Sequence, residues 1–377
     1  MATFLLSAGG TGGHLFPAEA LALELARRGH AVELATDERV EGYGRDFPAR
    51  AVHVVPSATF GDRSPAGLVR SGLRLARGYF SARALIARLK PALVAGFGGY
   101  PTMPPLLAAS VSRVPTLVHE ANAVAGRANR FLAGRVTAVA TGFAATDFKG
   151  KAPAGPLVHT GNPVRARVLA AVAPFDPPHA DEPFRLVVFG GSQGARVFSD
   201  LVPPAIALLP QALRQRLVIT QQVRAEDTER VAAAYAAMGV TPEIAAFFTD
   251  LPAKIAAGHL VVCRSGASSV AELGVIGRPS ILVPLPHALD NDQKTNAQRL
   301  EAAGGAILAE QASLTPDRLA ALLADLVGAP SRLALMAASA KATGVPDAAA
   351  RLADLAEHLA AGRPAADFRN TKGQIPS

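Results

Sequence analysis

The sequence is poor in cysteine and in aromatic residues. Its 377 residues include one cysteine, Cys263, and no tryptophan. A single cysteine excludes an intramolecular disulfide and fits a reducing compartment. Only 18% of the residues are charged and half are apolar, which excludes a disordered chain and favours large buried cores. This length predicts two domains of roughly 100–200 residues each.

Long apolar runs are also missing. The chain starts without basic residues and reaches a glycine at Gly9, which is unlike a secretory signal. No segment reaches the roughly 18–20 apolar residues of a membrane span. These absences predict a soluble, cytoplasmic protein that is able to touch a membrane surface.

Acidic residues are scarce in the first half. Residues 1–161 hold 18 Lys and Arg against 10 Asp and Glu, whereas residues 162–377 hold 20 of each, so the net charge of +8 lies in the first half. A one-sided basic balance indicates an anionic partner such as nucleic acid, anionic lipid or a phosphorylated substrate. Charge alone leaves open a solvated basic surface without such a partner.

The two halves open in the same way. An apolar run at residues 2–7 ends in the glycines 9–13, and a helical pattern follows at 16–28. A second run at 185–189 ends in the loop 190–195 and again leads into a helical pattern. Further short apolar runs predict buried strands at 31–36, 92–97, 114–118, 136–141, 217–220, 260–263 and 280–283. The sequence therefore predicts two doubly wound α/β domains with parallel sheets.

Turn-forming residues set the predicted boundaries. Glycine and proline at 161–163 and the proline-rich stretch 174–183 divide the domains at 1–162 and 163–345. The segment 346–369, with a helix at 347–360, is predicted to pack back on the first domain. The polar tail 370–377 is predicted to be disordered.

Glycine loops between a strand and a helix typically bind phosphate, because backbone N–H groups and the positive end of the helix dipole point at the ligand. Asp37, after the second apolar run, makes a dinucleotide dehydrogenase a rival interpretation. The dinucleotide fingerprint fails, however, since Leu15 stands where its third glycine is required. Neither loop has the Gly-Lys-Ser/Thr ending of a nucleotide triphosphatase. Tight helix–strand packing remains the alternative use of these glycines.

Seven motifs follow one another along the chain. The first is Gly9-Gly10-Thr11-Gly12-Gly13-His14-Leu15-Phe16-Pro17. Those that follow are Phe97-Gly98-Gly99-Tyr100-Pro101, His119-Glu120-Ala121-Asn122, Thr160-Gly161-Asn162-Pro163-Val164-Arg165, Gly190-Gly191-Ser192-Gln193-Gly194-Ala195, Cys263-Arg264-Ser265-Gly266-Ala267 through Glu272, and Asp290 through Asn296. Together and in this order, they resemble the motifs of the MurG family of N-acetylglucosaminyltransferases. One departure is Ala121, where the family commonly has glutamine.

The resemblance implies the GT-B fold, in which two Rossmann-like domains face each other across a cleft. It implies an inverting, metal-independent transfer of N-acetylglucosamine (GlcNAc) from UDP-GlcNAc to undecaprenyl-pyrophosphoryl-N-acetylmuramoyl-pentapeptide, with no cofactor and no nucleic acid. It also implies a peripheral location on the cytoplasmic face of the inner membrane. Other cell-wall synthesis proteins are candidate partners.

The resemblance assigns the donor UDP-GlcNAc mainly to the second domain. Glu272 is expected to bind the ribose hydroxyls, although a first-turn glutamate that complements the helix dipole is an alternative. Phe248 is expected beside the uracil, or else in the core, and Gln293 at the donor sugar, or else on a solvated helix face. The full set of predicted donor contacts is Thr11, Gly12, Gly13, Asn122, Arg165, Ser192, Gly194, Phe248, Ala267, Ser268, Glu272 and Gln293.

The acceptor is assigned to the first domain. The loop of residues 11–13 is also a candidate holder of its diphosphate. His14 is the candidate general base, because an ordinary histidine pKa of about 6.5 suits proton transfer at neutral pH. The alternative is a histidine that only hydrogen-bonds the acceptor. By resemblance, Tyr100, His119 and Glu120 are further acceptor candidates.

Asp290-Asn291-Asp292 resembles the Asp-x-Asp metal motif of other glycosyltransferases. Because it opens a predicted helix, where acids are ordinary caps, it is interpreted as part of the donor loop and not as a metal site.

A basic amphipathic stretch at residues 63–90 is the candidate membrane contact. It contains seven basic residues with apolar residues between them, and the one neighbouring acid is Asp62, just before it. Such a stretch can lie on an anionic leaflet; the alternative is a helix packed on its own sheet with arginines outward. The predicted membrane contacts are Leu68, Leu73, Arg74, Arg77 and Phe80.

Two alternative functions remain at this stage. One is another UDP-sugar enzyme of the same fold, such as a UDP-GlcNAc 2-epimerase, and the other is a non-catalytic basic peripheral membrane protein.

Overall fold

The computed structural model describes residues 1–9, 12–38, 47–58, 64–179, 182–191, 194–286 and 288–368. The chain forms two compact units. The first contains Met1–Arg165 and Val345–Ser377, and the second contains Ala166–Gly344. The predicted tail at 370–377 lies outside the described residues.

The first unit is built on a parallel sheet. Over the described residues it has seven strands in the order β3-β2-β1-β4-β5-β6-β7. Its elements are β1 Thr3–Ser7, α1 Gly12–Arg27, β2 Ala31–Thr36, β3 Val52–Val54, α2 Pro65–Leu89, β4 Leu93–Gly96, α3 Met103–Val111, β5 Thr116–Glu120, α4 Arg127–Ala133, β6 Ala138–Thr141, β7 Leu157–His159 and, after the second unit, α14 Ala348–Ala360.

Two hydrophobic cores cover the two faces of this sheet. Phe4 and Leu6 pack with α1 and α14 on one face, whereas Leu5 packs with α2 and α3 on the other. Successive side chains of a strand point to opposite faces, so an unbroken apolar run fills both cores. Sandwiching the sheet in this way leaves only its edges open to ligands.

Helix α14 returns to the first unit and packs on α1. Arg28 Nη1 lies 2.6 Å from both Asp354 Oδ1 and Glu357 Oε2, and Glu357 also lies 2.8 Å from His30 Nε2. These half-buried charges join the two helices at one end, and the apolar face of α14 covers the sheet beside them.

The second unit repeats the architecture. Over its described residues it has a parallel sheet of six strands in the order β10-β9-β8-β11-β12-β13. Its elements are α5 Ala166–Ala170, β8 Phe184–Phe189, α6 Arg196–Leu208, α7 Gln211–Arg216, β9 Leu217–Gln222, α8 Thr228–Ala236, β10 Glu243–Ala245, α9 Leu251–Ala257, β11 Leu260–Cys263, α10 Ala267–Ile276, β12 Ser280–Leu282, α11 Asp292–Ala302, β13 Ala306–Leu308, α12 Pro316–Val327 and α13 Pro330–Ala342.

Buried Arg278 joins several ends of secondary structure in the second unit. Its guanidinium donates to the carbonyl oxygens of Ala173, Pro174, Ala256, Ile276 and Gly277. These oxygens lie at the ends of α9 and α10 and in the segment after α5. Carbonyl groups at helix ends have no partner within the helix, and one buried cation satisfies several of them.

The two doubly wound parallel sheets confirm the predicted fold class. The division between the units falls at Arg165, three residues after the predicted boundary, and the chain returns to the first unit at Val345. Strands β3, β7, β10 and β13 were not predicted. Each has three residues and lies at an edge of its sheet.

Candidate functional site

Each unit has its candidate site at the carboxyl edge of its sheet, where loops leave parallel strands. In open α/β sheets, ligands bind in the crevice outside these strand ends. Most of the described candidate site residues follow β1, β4, β5, β8, β11 and β12.

His14 lies in the first turn of α1, which begins at Gly12, four residues before the predicted start. Its Nδ1 is 3.1 Å from the carbonyl oxygen of Gly9. A carbonyl oxygen only accepts hydrogen bonds, so Nδ1 carries the proton, and in the neutral ring Nε2 is the basic nitrogen. Burial lowers the pKa of His14 below its ordinary value, against the opposing effect of the bond to Gly9. The ring is therefore neutral near pH 7.

Two glycines after β4 pack on the His14 ring. Gly98 and Gly99 have φ angles of 97° and 76°, which favour glycine. A Cβ atom on Gly98 would lie 3.1 Å from His14 Nε2, and one on Gly99 would lie 3.4 Å from Nδ1. The Phe-Gly-Gly-Tyr motif thus packs closely on the imidazole of the first motif, and half-buried Tyr100 follows it.

His119 and Glu120, two of the predicted acceptor contacts, lie buried at the end of β5. His119 Nε2 donates to the Gly161 carbonyl oxygen at 3.1 Å, and burial lowers the pKa of His119 to about 4. The Glu120 carboxylate accepts from the backbone N–H groups of Asn122 and Gly126, both at 2.9 Å, and from Asn129 Nδ2 at 2.8 Å. Burial raises the pKa of Glu120, against the opposing effect of these bonds. Glu120 therefore positions the loop after β5, whereas His119 joins the end of β5 to the segment after β7. Both side chains are almost fully buried.

Asn122 and Arg165 are predicted donor contacts that belong to the first unit. Asn122 lies in the loop held by Glu120 and is half-buried. The Arg165 guanidinium stacks on the Phe16 ring, with its carbon 4.0 Å from the ring centroid. This cation–π contact orients the guanidinium against α1, close in sequence to His14.

In the second unit, the glycine loop after β8 requires its glycines. Gly191 and Gly194 have φ angles of 89° and 66°. A Cβ atom on Gly190 would lie 2.2 Å from the Ala195 backbone nitrogen, so no other residue fits there. The predicted contacts Ser192 and, in the first unit, Thr11 lie outside the described residues.

Gln222, a residue that sequence analysis missed, joins two loops at this edge. It is buried at the end of β9. Its Oε1 accepts from the Gly190 backbone N–H at 2.9 Å, and its Nε2 donates to the Ala246 carbonyl oxygen at 3.1 Å. One amide therefore holds the glycine loop to the segment just before Phe247 and Phe248. A glutamine at the end of a predicted strand was the only available signal.

Phe248 is half-buried and is not part of the core cluster of the second unit. Lys254 Nζ lies 5.2 Å from its ring centroid. Its neighbour Phe247 has 54% of its surface exposed. The prediction named only Phe248, but the structure makes Phe247 the more accessible aromatic surface of the pair.

Helix α10 presents its amino end at the same edge of the sheet. Ala267 is its first residue, and the Ser268 hydroxyl is buried with no hydrogen-bond partner among the described residues. Glu272 is buried in the second turn. The alternative of a first-turn glutamate is therefore wrong. A helix amino end next to an unused hydroxyl and a carboxylate suits a diphosphate beside a ribose.

Gln293 lies in the first turn of α11, half-buried, where its Oε1 accepts from the Leu285 backbone N–H at 3.0 Å. The loop before it has positive φ angles at Asp290 and Asn291, 65° and 55°. Burial raises the pKa of Asp292. Within the described part of the chain, no three His, Cys, Asp or Glu side chains are grouped so that they could hold a metal ion.

Comparison with known proteins finds a matching family model for each half of the chain. The model of the glycosyltransferase family 28 N-terminal domain matches residues 4–141, and that of the family 28 C-terminal domain matches residues 185–352. A crystal structure of Acinetobacter baumannii MurG is similar, with a TM-score of 0.77 and 29% identity over 95% of this chain and 99% of that one. A putative UDP-N-acetylglucosamine 2-epimerase from Listeria monocytogenes, at 15% identity and a TM-score of 0.66, shares the fold alone.

Two curated relatives cover nearly the whole chain, and both are called UDP-N-acetylglucosamine–N-acetylmuramyl-(pentapeptide) pyrophosphoryl-undecaprenol N-acetylglucosamine transferase. The Mesorhizobium japonicum protein is 57% identical over 97% of both chains, and the Rhizobium meliloti protein is 56% identical over 98% of both. Fold and site thus define a glycosyltransferase of the GT-B class. Within that class, the chain belongs to the MurG family of glycosyltransferase family 28. The resemblance seen in the motifs is confirmed.

The Gln222 hydrogen bonds lead to a prediction about the glycine loop. Replacing Gln222 with alanine removes the acceptor of the Gly190 N–H, so backbone amide exchange in the peptide that contains Gly190 should become about tenfold faster, which is the effect of losing roughly 1.4 kcal/mol of local stability. Gln222→Glu keeps the acceptor oxygen and should preserve most of the protection. Hydrogen exchange followed by mass spectrometry measures both.

Gln221→Ala is the matched control. Gln221 is the preceding residue on the opposite face of β9 and also makes two hydrogen bonds, to Tyr235 Oη and the Phe198 carbonyl oxygen. The Gln221→Ala variant should lower the stability of the second unit without selectively speeding amide exchange at Gly190. Equal exchange at Gly190 in the two alanine variants would mean that Gln222 does not hold this loop.

Proposed function

We propose that this chain transfers GlcNAc from UDP-GlcNAc to the muramoyl sugar of a lipid-linked muramoyl-pentapeptide, the acceptor named for its relatives. The observation that carries the proposal is 57% identity over 97% of both chains, because this similarity includes the candidate sites of both units. The geometry of each site supports it. Between these relatives and a fold-level likeness to a 2-epimerase at 15% identity, the transferase is favoured.

We assign the donor mainly to the second unit. The amino end of α10 and the buried Ser268 hydroxyl bind the diphosphate, and Glu272 binds the ribose. The aromatic pair Phe247 and Phe248 lies beside the uracil. The leaving UDP gains negative charge as the bond to the sugar breaks, and a fixed helix end stabilises that charge without reorganising. Ser192 and Gly194 complete the assignment as parts of the glycine loop.

We assign the general base to His14. The acceptor hydroxyl attacks the anomeric carbon of GlcNAc while the bond from that carbon to the diphosphate breaks, which inverts the anomeric centre. The hydroxyl proton passes to His14 Nε2. The bond from Nδ1 to Gly9 fixes the tautomer that this step needs. Glu120 positions the loop that contains Asn122, His119 holds the segment at Gly161, and neither side chain contacts the acceptor.

We propose that α2 binds an anionic membrane surface. Val69, Leu73 and Phe80 are exposed by 63%, 63% and 65%. At 100° per residue they fall within an arc of about 40° on one side of the helix. The exposed side chains of Arg77 and Arg83 flank this stripe, each about 40° beyond one of its margins. An apolar stripe flanked by cations suits the boundary between head groups and acyl chains, where each cation near the surface contributes about 1 kcal/mol.

Two details limit the predicted set of membrane contacts. Arg74 pairs with Glu38, with its Nη2 2.9 Å from Oε2, so its charge is partly engaged. The Leu68 side chain lies outside the described part of the structure.

The proposed location is peripheral, at the cytoplasmic face of the inner membrane, where the acceptor lipid is anchored.

Across the described residues, no single helix is long and apolar enough to cross a membrane. One pair, Pro316–Val327 and Pro330–Ala342, reaches the required length and composition only when its members are joined across a bend of 95°.

A transfer assay tests the proposed function. Purified protein with UDP-GlcNAc and a short-chain lipid-linked muramoyl-pentapeptide should release UDP and form a disaccharide product, both measured by chromatography. Neither should form when the acceptor is left out. Release of UDP together with free 2-epimerised sugar, with or without acceptor, would identify an epimerase instead.

Replacing His14 with alanine should lower kcat by about 10²–10⁴-fold, the usual contribution of a general base. Because burial lowers the pKa of His14, the wild-type rate should fall on acidification only below pH 6.5, where the ring gains a proton. Steady-state kinetics across pH, with binding of UDP as a folding control, measure both effects. A near-normal kcat, or an unchanged acidic limb in the variant, would remove His14 from the base role.

The membrane proposal predicts that Leu73→Ser with Phe80→Ser weakens binding to phosphatidylglycerol vesicles by at least about tenfold, since each change removes apolar area from the bound surface. Vesicle co-sedimentation measures the loss. Leu335→Ser, at a position 70% exposed in the second unit, is the matched control and should bind normally. Wild-type binding that ignores both salt and the fraction of anionic lipid would contradict the proposal.

A further inference from the structure

A cavity of about 370 Å³ opens in the first unit, between the carboxyl ends of β2 and β3 and the first half of α2. Its volume lies near the lower limit for small-molecule sites, which span about 300–1,000 Å³. It has room for one or two amino-acid residues. Among the described residues, those that line it are Asp37, Glu38, Ser57, Ala58, Arg70, Ser71 and Arg74.

The floor of the cavity is acidic. Asp37 directly follows β2, and only 5% of its surface is exposed. Its Oδ2 accepts from the Ser57 hydroxyl at 3.2 Å. Carboxylates are seldom buried to this degree without a purpose in pairing or binding. In sequence, Asp37 suggested the ribose of a dinucleotide, but the failed glycine fingerprint removes that use.

The wall of the cavity is basic. Arg70 and Arg74 are one helical turn apart on α2 and so share a face. Arg74 pairs with Glu38, and the two side chains are 48% and 65% exposed. Arg70 makes no ion pair with any described residue. An exposed ion pair is weak, so a ligand can separate it at little cost.

The position of α2 over the cavity is fixed by close packing one turn beyond Arg74. A Cβ atom on Gly78 would lie 2.0 Å from the Pro56 carbonyl oxygen. The helix therefore rests directly on the backbone that leads from β3 to Ser57. This contact holds the basic wall at a constant distance from the acidic floor.

The combination of charges selects the ligand. Two carboxylates disfavour a bare phosphate, and two guanidiniums disfavour a simple cation. A group that brings both a carboxylate and an ammonium satisfies both walls, because its carboxylate replaces Glu38 at Arg74 while its ammonium takes the freed carboxylate of Glu38 and approaches Asp37. Every charge then keeps a partner.

The cavity lies within reach of the proposed reaction centre. In the order β3-β2-β1, it is next to the end of β1, after which the chain enters α1 and His14. Strands are about 4.8 Å apart, so the cavity centre is displaced sideways by about 5–10 Å from that end. A five-residue peptide spans up to about 17 Å and covers this distance.

We infer that this cavity binds the peptide part of the acceptor, through a residue whose side chain carries both an ammonium and a carboxylate. The inference rests on the proposed function, since the peptide is part of the acceptor named for the relatives. It adds a specificity site that is separate from the sugar and diphosphate contacts.

The test uses three short-chain acceptors that differ at one peptide residue, whose side chain carries both charges, an ammonium alone, or neither. With the wild-type protein, kcat/KM for the doubly charged acceptor should exceed that for the neutral one by about tenfold, the effect of one or two charge-assisted hydrogen bonds. In Arg74→Gln and in Glu38→Gln, this ratio should fall toward one.

Arg50→Gln is the control of equal charge. Arg50 is exposed and lies at the amino end of β3, whereas the cavity lies at the carboxyl end of that strand. The Arg50→Gln variant should therefore keep the wild-type ratio. Absence of transfer to all three acceptors would reject the proposed function itself. Transfer with equal kcat/KM for the three acceptors, or an Arg50→Gln variant that also loses the ratio, would overturn only the peptide site. Thermal stabilisation by NAD⁺ that requires Asp37 would likewise overturn it in favour of a nucleotide site.

Discussion

All the chemistry in this protein depends on a property of parallel sheets: every strand delivers its carboxyl end to the same edge. Loops from distant parts of the sequence meet there, and they must be fixed relative to one another before they can bind anything. In each unit, one buried polar side chain does this. Glu120 accepts from two backbone N–H groups of the loop after β5 and from Asn129 on α4, and Gln222 joins the loops after β8 and β10. A buried polar group is stable only when its hydrogen bonds are satisfied, so the same energy that keeps these side chains paired also keeps the loops in place.

The long apolar strands could be predicted because they fill cores on both faces and leave unbroken runs in the sequence, as in residues 3–7 and 184–189. The four edge strands were missed, since three residues are too few to establish a period. The equally short β12 was found because it lies inside its sheet and the apolar run continues to Val283. For β10, the sequence Glu243–Ala245 has no pattern at all. Its pairing with β9 is set by the sheet and not by its own residues. Local sequence determines the centre of each sheet, and tertiary packing determines its margins.

The residue types in the motifs located the candidate sites, but they did not show which side-chain atoms face a ligand. The motif containing His119 and Glu120 suggested two acceptor contacts, yet a charged residue in a motif can equally be the buried support of its neighbours, and burial is invisible in a sequence. The Phe247–Phe248 pair shows the same limit, because one phenylalanine is half-buried and the other exposed. Gln222 was missed for the converse reason. Its two bonds join segments more than twenty residues away, and no local spacing encodes them.

Under the two proposals made for it, helix α2 serves a substrate that is part lipid and part peptide. Its inner face is fixed by contact at Gly78, its outer stripe is apolar, and its arginines at positions 70 and 74 line the charged cavity. A helix surface turns by 100° per residue, so Gly78 lies about 160° from the centre of the apolar stripe, and the two arginines lie between these opposite faces. A helix bound to a bilayer by its stripe would then hold the cavity at the membrane surface, close to where a lipid-anchored head group emerges. On this view the basic excess of the first half has two uses: some cations attract the membrane, while Arg70 and Arg74 recognise what is attached to it. The sequence shows the excess of basic residues, but only the geometry of the helix shows which of them lie beside the apolar stripe and which line the cavity.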